Sequence, residues 1–432
     1  MKHWFRDAHF RSLLKNSGYL AGSKAVAAVA GIATLAFAGR GLGVVLFGTL
    51  ILITSYAKAA SGLSKFQSWQ LIVRYGGQAL AAGDHEEFKA STGFAFALDV
   101  VSGVGGMIVA VMLLPFIGSW FGVTEQYLWL AMLYCTLLPT MGAATPIGVL
   151  RALDRFDLIS WQGSSYPIVR GVLAGIAFAV SAPLETYVAI WWITDLGGDI
   201  YLWFLAWREL RRRGFLKGIR PTLRPETLPG AWRFAIQVNL TSSLVTAWGP
   251  IARLVVGGLL GATGAGLFRV ASSLADSAQK PADLLAKAFY PEVVRMDLAT
   301  KKPWKLMLRG TALAGAACAL SILILIVVGK PLINLLFGKD FIGAYPVILV
   351  LIIAPVLAIV SFPLPSMLYA LDRPDAPLTA RLIGTIIFFV IVAPLSWTFG
   401  VIGAAMAFVI GNAAMVIVLI GQLLREYRRV RA

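Results

Sequence analysis

Several charged side chains stand inside long apolar stretches of this 432-residue sequence. Arg170 and Asp195 are the clearest cases, because apolar residues flank each of them on both sides. A charge at the centre of a bilayer costs about 2.5–3.5 kcal/mol on insertion scales, so it must pair or face a polar cavity. Lysine and arginine there could bind an anionic head group, and aspartate could carry a coupling proton. The other charges in apolar stretches are Lys24, Lys58, Asp99, Asp199, Arg253, Arg269, Asp276, Lys280 and Asp283.

Two interpretations of these charges stay open. In the first they are structural ion pairs; Asp276, Lys280 and Asp283, for example, are spaced to share one helical face. In the second they line a water-filled cavity. For that cavity we predict binding cations at Arg170, Lys24, Lys58, Arg253, Arg269 and Lys280, and coupling carboxylates at Asp195, Asp276 and Asp99.

A repeated hexapeptide sets the large-scale organisation. Ala152-Leu153-Asp154-Arg155-Phe156-Asp157 returns 218 residues later as Ala370-Leu371-Asp372-Arg373-Pro374-Asp375. Leu42-Gly43 and Arg208-Glu209 return as Leu260-Gly261 and Arg425-Glu426 at nearly the same offset. Matches in order at one offset indicate a duplicated unit. We therefore predict two domains, 1–216 and 217–432. Two interpretations are open for the charged residues of this repeat, Asp154, Arg155, Asp372 and Arg373. They cap helices in a solvated turn, or they form a cytoplasmic gate.

The composition excludes a soluble protein. Hydrophobic residues make up 58% and charged residues 14% of the chain, whereas soluble domains carry about 25% charged residues. The net charge of +17 would suggest nucleic acid in a soluble protein. In a membrane protein it follows from basic cytoplasmic loops, so no nucleic-acid partner is expected.

Apolar segments of about 20 residues predict 12 membrane-spanning helices. In the first half these are residues 17–39, 44–66, 91–114, 127–150, 159–181 and 184–207. In the second half they are residues 234–257, 264–288, 307–329, 343–369, 377–397 and 400–423. Six helices in each half predict two parallel, pseudo-symmetric bundles with the substrate path between them. Lysine and arginine concentrate on one side of this topology, which places both termini in the cytoplasm and the Gly118–Glu125 hairpin outside.

The sequence offers little for enzyme chemistry. The three histidines, His3, His9 and His85, form no zinc motif. Cys135 and Cys318 lie in apolar helices, so we expect neither a disulfide nor a metal framework. Gly39-Arg40-Gly41-Leu42-Gly43 follows no strand and reads as a tight turn. No catalytic residue, metal or cofactor is predicted.

Twelve helices in two halves, a short basic start and Leu-Gly-x4-Gly at Leu42 and Leu260 resemble the polysaccharide flippases. These Wzx-like exporters belong to the multidrug/oligosaccharidyl-lipid/polysaccharide (MATE-like) superfamily. The peptidoglycan-precursor flippases of that superfamily carry two more helices, which argues against that branch. The resemblance implies an all-α, polytopic protein of the bacterial inner membrane that moves a polyprenyl-diphosphate-linked oligosaccharide. It also implies H⁺ or Na⁺ coupling, and polysaccharide polymerase machinery as a partner.

Two other classes were weighed. A drug or cation antiporter of the same fold would favour acidic cavity residues, and here basic ones are at least as numerous. A membrane-embedded glycan-modifying enzyme would need a large periplasmic loop or a histidine–acid cluster, and neither is visible in the sequence.

Overall fold

The computed structural model describes residues 8–294, 302–370, 373 and 375–431. Within these residues the chain is helical and contains no strand. The helices up to residue 212 are α1 (Ala8–Ser64), α2 (Ser68–Leu71), α3 (Gly77–Ala82), α4 (His85–Ile117), α5 (Leu128–Cys135), α6 (Ala144–Ala152), α7 (Phe156–Ala179) and α8 (Leu184–Arg212). After the linker come α9 (Ala231–Val294), α10 (Lys302–Phe337), α11 (Ala344–Leu351), α12 (Ile353–Ser361), α13 (Pro363–Ala370) and α14 (Asp375–Arg431).

Single glycines kink the longest helices. Gly43 in α1 has φ 68° and ψ 173°, and Gly261 in α9 has φ 71° and ψ −175°. This region of backbone space is essentially restricted to glycine, since a Cβ atom would clash there. Gly400 divides α14 in the same way, with φ 60°. Each of these helices therefore supplies two of the predicted spans, and the all-α, 12-span fold is confirmed.

Length and composition alone identify six described helical stretches that could cross a membrane. Three of them contain the kink glycines and so hold parts of two spans each. Helices α7 and α8, which carry Arg170, Asp195 and Asp199, fall outside that set.

Two predictions about helix bounds were wrong. The span expected at 127–150 is interrupted, because α5 ends at Cys135 and α6 begins only at Ala144. The stretch expected as a loop after residue 66 is helical: α2, a π-helical turn at Ile72–Gly76 and α3 follow one another without a gap. Gly83 then ends α3 in the left-handed region, and the Asp84 side chain accepts a hydrogen bond from the Glu87 amide at 2.9 Å to cap α4.

The chain forms two compact units. Unit 1 contains residues 1–42 and 49–254, and unit 2 contains residues 43–48 and 255–432. The core of unit 1 includes buried Leu71, Phe88 and Leu205, and a core cluster of unit 2 includes Met367 and Leu368. The units follow spatial contact, whereas the predicted domains 1–216 and 217–432 follow sequence repetition. That predicted boundary therefore stays a prediction.

Candidate functional site: a buried charge network in unit 1

Arg170 and Asp195 form an ion pair between α7 and α8. Arg170 Nη2 donates to Asp195 Oδ1, and Arg170 Nε donates to Thr194 Oγ1 at 2.7 Å. The Tyr134 hydroxyl of α5 donates to the second carboxylate oxygen, Oδ2. The Arg170 side chain is 11% exposed and that of Asp195 is 17% exposed. The pair is therefore mostly removed from solvent, and hydrogen bonds to both partners compensate part of the desolvation cost.

Aromatic rings complete the surroundings of Arg170. Its guanidinium carbon lies 5.4 Å from the centroid of the Tyr166 ring and 5.5 Å from that of Trp191. Both distances are within the range of a cation–π interaction. Thr194 in turn donates its hydroxyl hydrogen to the Ile190 carbonyl at 2.7 Å, which fixes the oxygen that Arg170 contacts. The arrangement holds a planar cation close to two rings and beside one carboxylate.

Two lysines, one in the last turns of α1 and one directly after it, approach the same network. Lys58 interacts electrostatically with Asp195. Lys65 lies two turns further along, is buried, and donates to the Pro139 carbonyl at 3.1 Å and the Met141 carbonyl at 2.7 Å. These carbonyls belong to the turn between α5 and α6. Lys65 therefore stabilises the break in the predicted fourth span.

Asp199 extends the network by one turn of α8. It is four residues after Asp195, and its charge interacts with those of Asp195, Lys65 and Arg170. Sequence reasoning noted Asp199 as an intramembrane charge but did not select it, and it missed Tyr134 and Lys65. The i, i+4 spacing of the two aspartates was the available signal for Asp199.

Asp99 of α4 has a different environment. It is 2% exposed and accepts three hydrogen bonds. Ser68 Oγ donates at 2.6 Å, the Thr145 amide at 2.8 Å and Thr145 Oγ1 at 2.7 Å. Ser68 begins α2 and Thr145 lies in the first turn of α6. A carboxylate near a helix N-terminus is favourable there, so Asp99 anchors the two unexpected helix starts. Its predicted coupling role stays a prediction.

The remaining predicted site residues are scattered. Arg253 of α9 donates from Nε to Ser55 Oγ at 2.9 Å within unit 1. Lys24 is exposed on α1. In unit 2, Arg269 interacts electrostatically with Asp276. Lys280 lies outside the residues whose side chains the structure describes. The structure thus brings Arg170, Asp195 and Lys58 together, while the binding and coupling roles predicted for the others stay predictions.

The repeated hexapeptide forms the same cluster in both units. In unit 1, Arg155 donates to both carboxylate oxygens of Asp157 at 2.9 Å and to Glu209 Oε2 at 2.5 Å. Those hydrogen bonds raise the pKa of Arg155, the bond to Asp157 contributing most. Asp154 precedes Arg155 with φ 57° at the turn that follows α6.

In unit 2, Arg373 uses the same three nitrogens. Nε and Nη2 donate to Asp375 at 3.1 and 3.0 Å, and Nη1 donates to Glu426. The bond to Asp375 is again the main cause of a raised pKa, here of Arg373. Asp372 lies outside the described residues. In unit 1 the cluster ties the start of α7 to the end of α8. In unit 2 it ties the start of α14 to the part of the same helix beyond the Gly400 kink. The predicted gate role stays a prediction.

The described residues hold no group of three or more His, Cys, Asp or Glu side chains that could bind a metal. Cys135 and Cys318 are both buried thiols. The site of unit 1 is thus a network of charges, hydroxyls and aromatic rings.

Comparisons with known structures define the class. An inward-facing multidrug resistance MATE family transporter matches with a TM-score of 0.67 and 16% identity, covering 95% of this chain and 94% of that one. A point mutant of the Vibrio cholerae MATE transporter VcmN matches with a TM-score of 0.64 and 14% identity, over 97% and 96% of the two chains. The fold is therefore that of the MATE transporters.

Sequence comparison then gives the family. Residues 13–296 match the family described as polysaccharide biosynthesis protein, and the chain belongs to that family. The inner membrane protein YghQ of Escherichia coli strain K12 is 41% identical over 351 residues, which are 81% of this chain and 99% of that protein. The protein is a membrane transporter of the polysaccharide flippase superfamily, as the sequence resemblance indicated.

Proposed function

We propose that this protein is a flippase that moves a polyprenyl-diphosphate-linked oligosaccharide across the bacterial inner membrane for surface or exopolysaccharide biosynthesis. The observation that carries the proposal is the largely buried Arg170, which is held by Asp195 and lies within cation–π distance of Tyr166 and Trp191. The family match over residues 13–296 includes this whole network. The inner-membrane name of the relative from Escherichia coli supports the location.

The chemistry of the proposed substrate fits this network. A diphosphate presents paired oxygens, and a guanidinium can bind such oxygens through two parallel hydrogen bonds. Sugar rings need polar and aromatic surface, which Tyr166 and Trp191 supply. In the structure the Asp195 carboxylate is paired with the Arg170 guanidinium. The diphosphate must therefore compete with that carboxylate for Arg170.

Ion coupling follows from this competition. A proton or Na⁺ on Asp195 neutralises the carboxylate and releases the Arg170 guanidinium toward the diphosphate. Loss of the ion restores the pair and expels the substrate. The ion thus acts by changing which state is favoured, in an alternating-access cycle. Lys58 adds positive charge beside the same carboxylate.

The test compares variants at Arg170 in a strain that lacks the native copy. We expect Arg170→Lys to keep part of the polysaccharide export and Arg170→Ala to lose it, with protein abundance in the membrane near normal for both. Arg212→Ala is the control, because that side chain is 64% exposed. Full export by well-expressed Arg170→Ala would refute a role in substrate binding.

A second pair of variants separates binding from a purely structural ion pair. If Arg170 only partners Asp195, exchanging the two residues preserves export, and Arg170→Ala lowers abundance through the orphaned carboxylate. If Arg170 binds substrate, the exchanged protein accumulates but does not export. Asp195→Asn is then expected to uncouple export from the ion gradient.

The alternative is a drug or cation antiporter of the same fold. Asp195 and Asp199, one turn apart on α8, are the observation in its favour, because paired carboxylates suit a cationic substrate. Expression in a drug-sensitive strain distinguishes the two. Increased drug resistance without any change in polysaccharide would favour the antiporter.

A further inference from the structure

The two Arg–Asp–Glu clusters differ in the residues packed beside them. In unit 1, Leu158 directly follows Asp157 and Leu205 lies one helical turn before Glu209. Leu205 is buried in the core and Leu158 packs against that core. At the corresponding repeat positions, 218 and 217 residues later, unit 2 has Ala376 and Gln422. Two leucine side chains are thus replaced by a smaller residue and a polar one. The replacement removes apolar volume beside the cluster of unit 2.

A cavity of about 270 Å³ lies at this place in unit 2. Its lining residues are Leu368, Arg373, Ala376, Gln422, Arg425 and Glu426. The Gln422 Oε1 atom is buried and accepts no hydrogen bond within the described part of the chain. Leaving a buried acceptor without a partner is unfavourable, so this oxygen is expected to be satisfied by a bound group.

The charges on the lining show which groups fit. Arg373 already donates to Asp375 and Glu426. Arg425, which adds a second positive charge, and Glu426, which adds a negative one, also line the cavity. A ligand with one anionic and one donating, cationic group therefore matches: a phosphate beside Arg425, and an ammonium group beside Gln422 Oε1 and Glu426.

The position of the cavity identifies the source of such a ligand. Gln422, Arg425 and Glu426 lie at the end of the last predicted span, residues 400–423. The ends of membrane helices lie at the depth of lipid headgroups. We propose that this cavity is a binding site for a phospholipid headgroup of the phosphoethanolamine type. The proposal is independent of the transported substrate.

Native mass spectrometry of the purified full-length protein with defined lipids tests this site. Phosphatidylethanolamine is the probe, and phosphatidylglycerol of the same acyl composition is the comparison, because it lacks the ammonium. We expect wild type to retain phosphatidylethanolamine at least fivefold better than phosphatidylglycerol. Equal retention of the two lipids, or a preference for phosphatidylglycerol, would overturn the proposal.

Variants locate the binding. The double variant Ala376→Leu, Gln422→Leu gives unit 2 the residues that unit 1 has. The single variant Arg425→Gln removes the phosphate partner. Each of these two proteins is expected to retain phosphatidylethanolamine at least fivefold less than wild type. The matched control is Arg208→Gln, which changes the repeat equivalent of Arg425 in unit 1 and is expected to bind as wild type. If the double variant does not fold, Arg425→Gln against Arg208→Gln decides. Equal retention by these two single variants contradicts the site.

Discussion

Tyr134 is the residue whose contribution to the network is easiest to isolate. Its hydroxyl donates to the charged Asp195, whereas the buried Tyr56 hydroxyl donates to the neutral Ala110 carbonyl at 2.7 Å. Hydrogen bonds to charged groups contribute about 1.5–3 kcal/mol and neutral ones about 0.5–1.5 kcal/mol. We therefore expect Tyr134→Phe to lower the free energy of unfolding more than Tyr56→Phe.

Thermal unfolding of the two purified variants in the same detergent measures this difference. Neither substitution adds atoms to the core, so the change in melting temperature reports the lost hydrogen bond. Equal losses would mean that the Asp195 carboxylate does not depend on Tyr134.

At this scale the sequence predicted part of the site. Arg170 and Asp195 could be identified as candidate site residues, because a charge amid apolar residues must be paired or functional. Tyr134 was not, because a tyrosine within an apolar segment reads as an ordinary hydrophobic residue. The role of Lys65 was not predictable either, since only the folded chain shows the carbonyls of Pro139 and Met141 turned toward it.

At the scale of elements, the two Arg–Asp–Glu clusters should contribute unequally to stability. The Glu209 side chain is 6% exposed and that of Glu426 is 13% exposed. Removing one partner of a buried ion pair costs more than removing one near the surface. We expect Glu209→Ala to lower the free energy of unfolding by about 1–3 kcal/mol. This is less than the loss for a fully buried pair, because Arg155 is partly exposed. Glu426→Ala is expected to lower the free energy of unfolding less than Glu209→Ala does.

A double-mutant cycle with Arg155→Ala isolates the pair in unit 1. The interaction energy is the difference between the double variant and the sum of the singles. Strict additivity would show that Arg155 and Glu209 are not coupled.

Close helix packing provides another prediction at this scale. A Cβ atom on Gly48 would lie 1.8 Å from the Ala262 carbonyl oxygen, both in unit 2, whereas one on Gly105 would meet nothing within 4 Å. Small residues allow membrane helices to approach closely. Gly48→Ala is therefore expected to destabilise by about 1–3 kcal/mol through overpacking. Gly105→Ala, the control, should accumulate in the membrane like wild type, and equal abundance of both variants would contradict the close approach.

Apolar length predicted where most helices lie, because about 20 apolar residues suffice to span a bilayer. It could not predict the break between Cys135 and Ala144, or the helices at 68–82. Asp99, on a separate helix, accepts hydrogen bonds from Ser68 at the start of α2 and from Thr145 just after the break. Hydropathy averages over a window and contains no information about such a contact.

At the scale of the whole molecule, the orientation in the membrane is testable with single cysteines. Cys135 and Cys318 are both buried and can be replaced by alanine as a background. Cysteine at the exposed Ser119 should react with an impermeant thiol reagent added outside intact cells, and cysteine at Ser12 should react only after lysis. The basis is the Lys/Arg asymmetry of the loops. The reverse labelling pattern would overturn the orientation.

The compact units also determine the order in which the protein can be built. Residues 217–254 belong to unit 1, so unit 1 is complete only once residue 254 has been synthesised. Residues 43–48 lie between its two segments in the sequence but belong to unit 2. Domains generally fold as units during synthesis, the N-terminal one first. A nascent chain of 216 residues, although it holds the whole first domain that the sequence predicts, is therefore an unfinished folding intermediate. Residues 43–48 reach their own unit only after residue 254 has been passed, so early termination is expected to leave a product for membrane proteases.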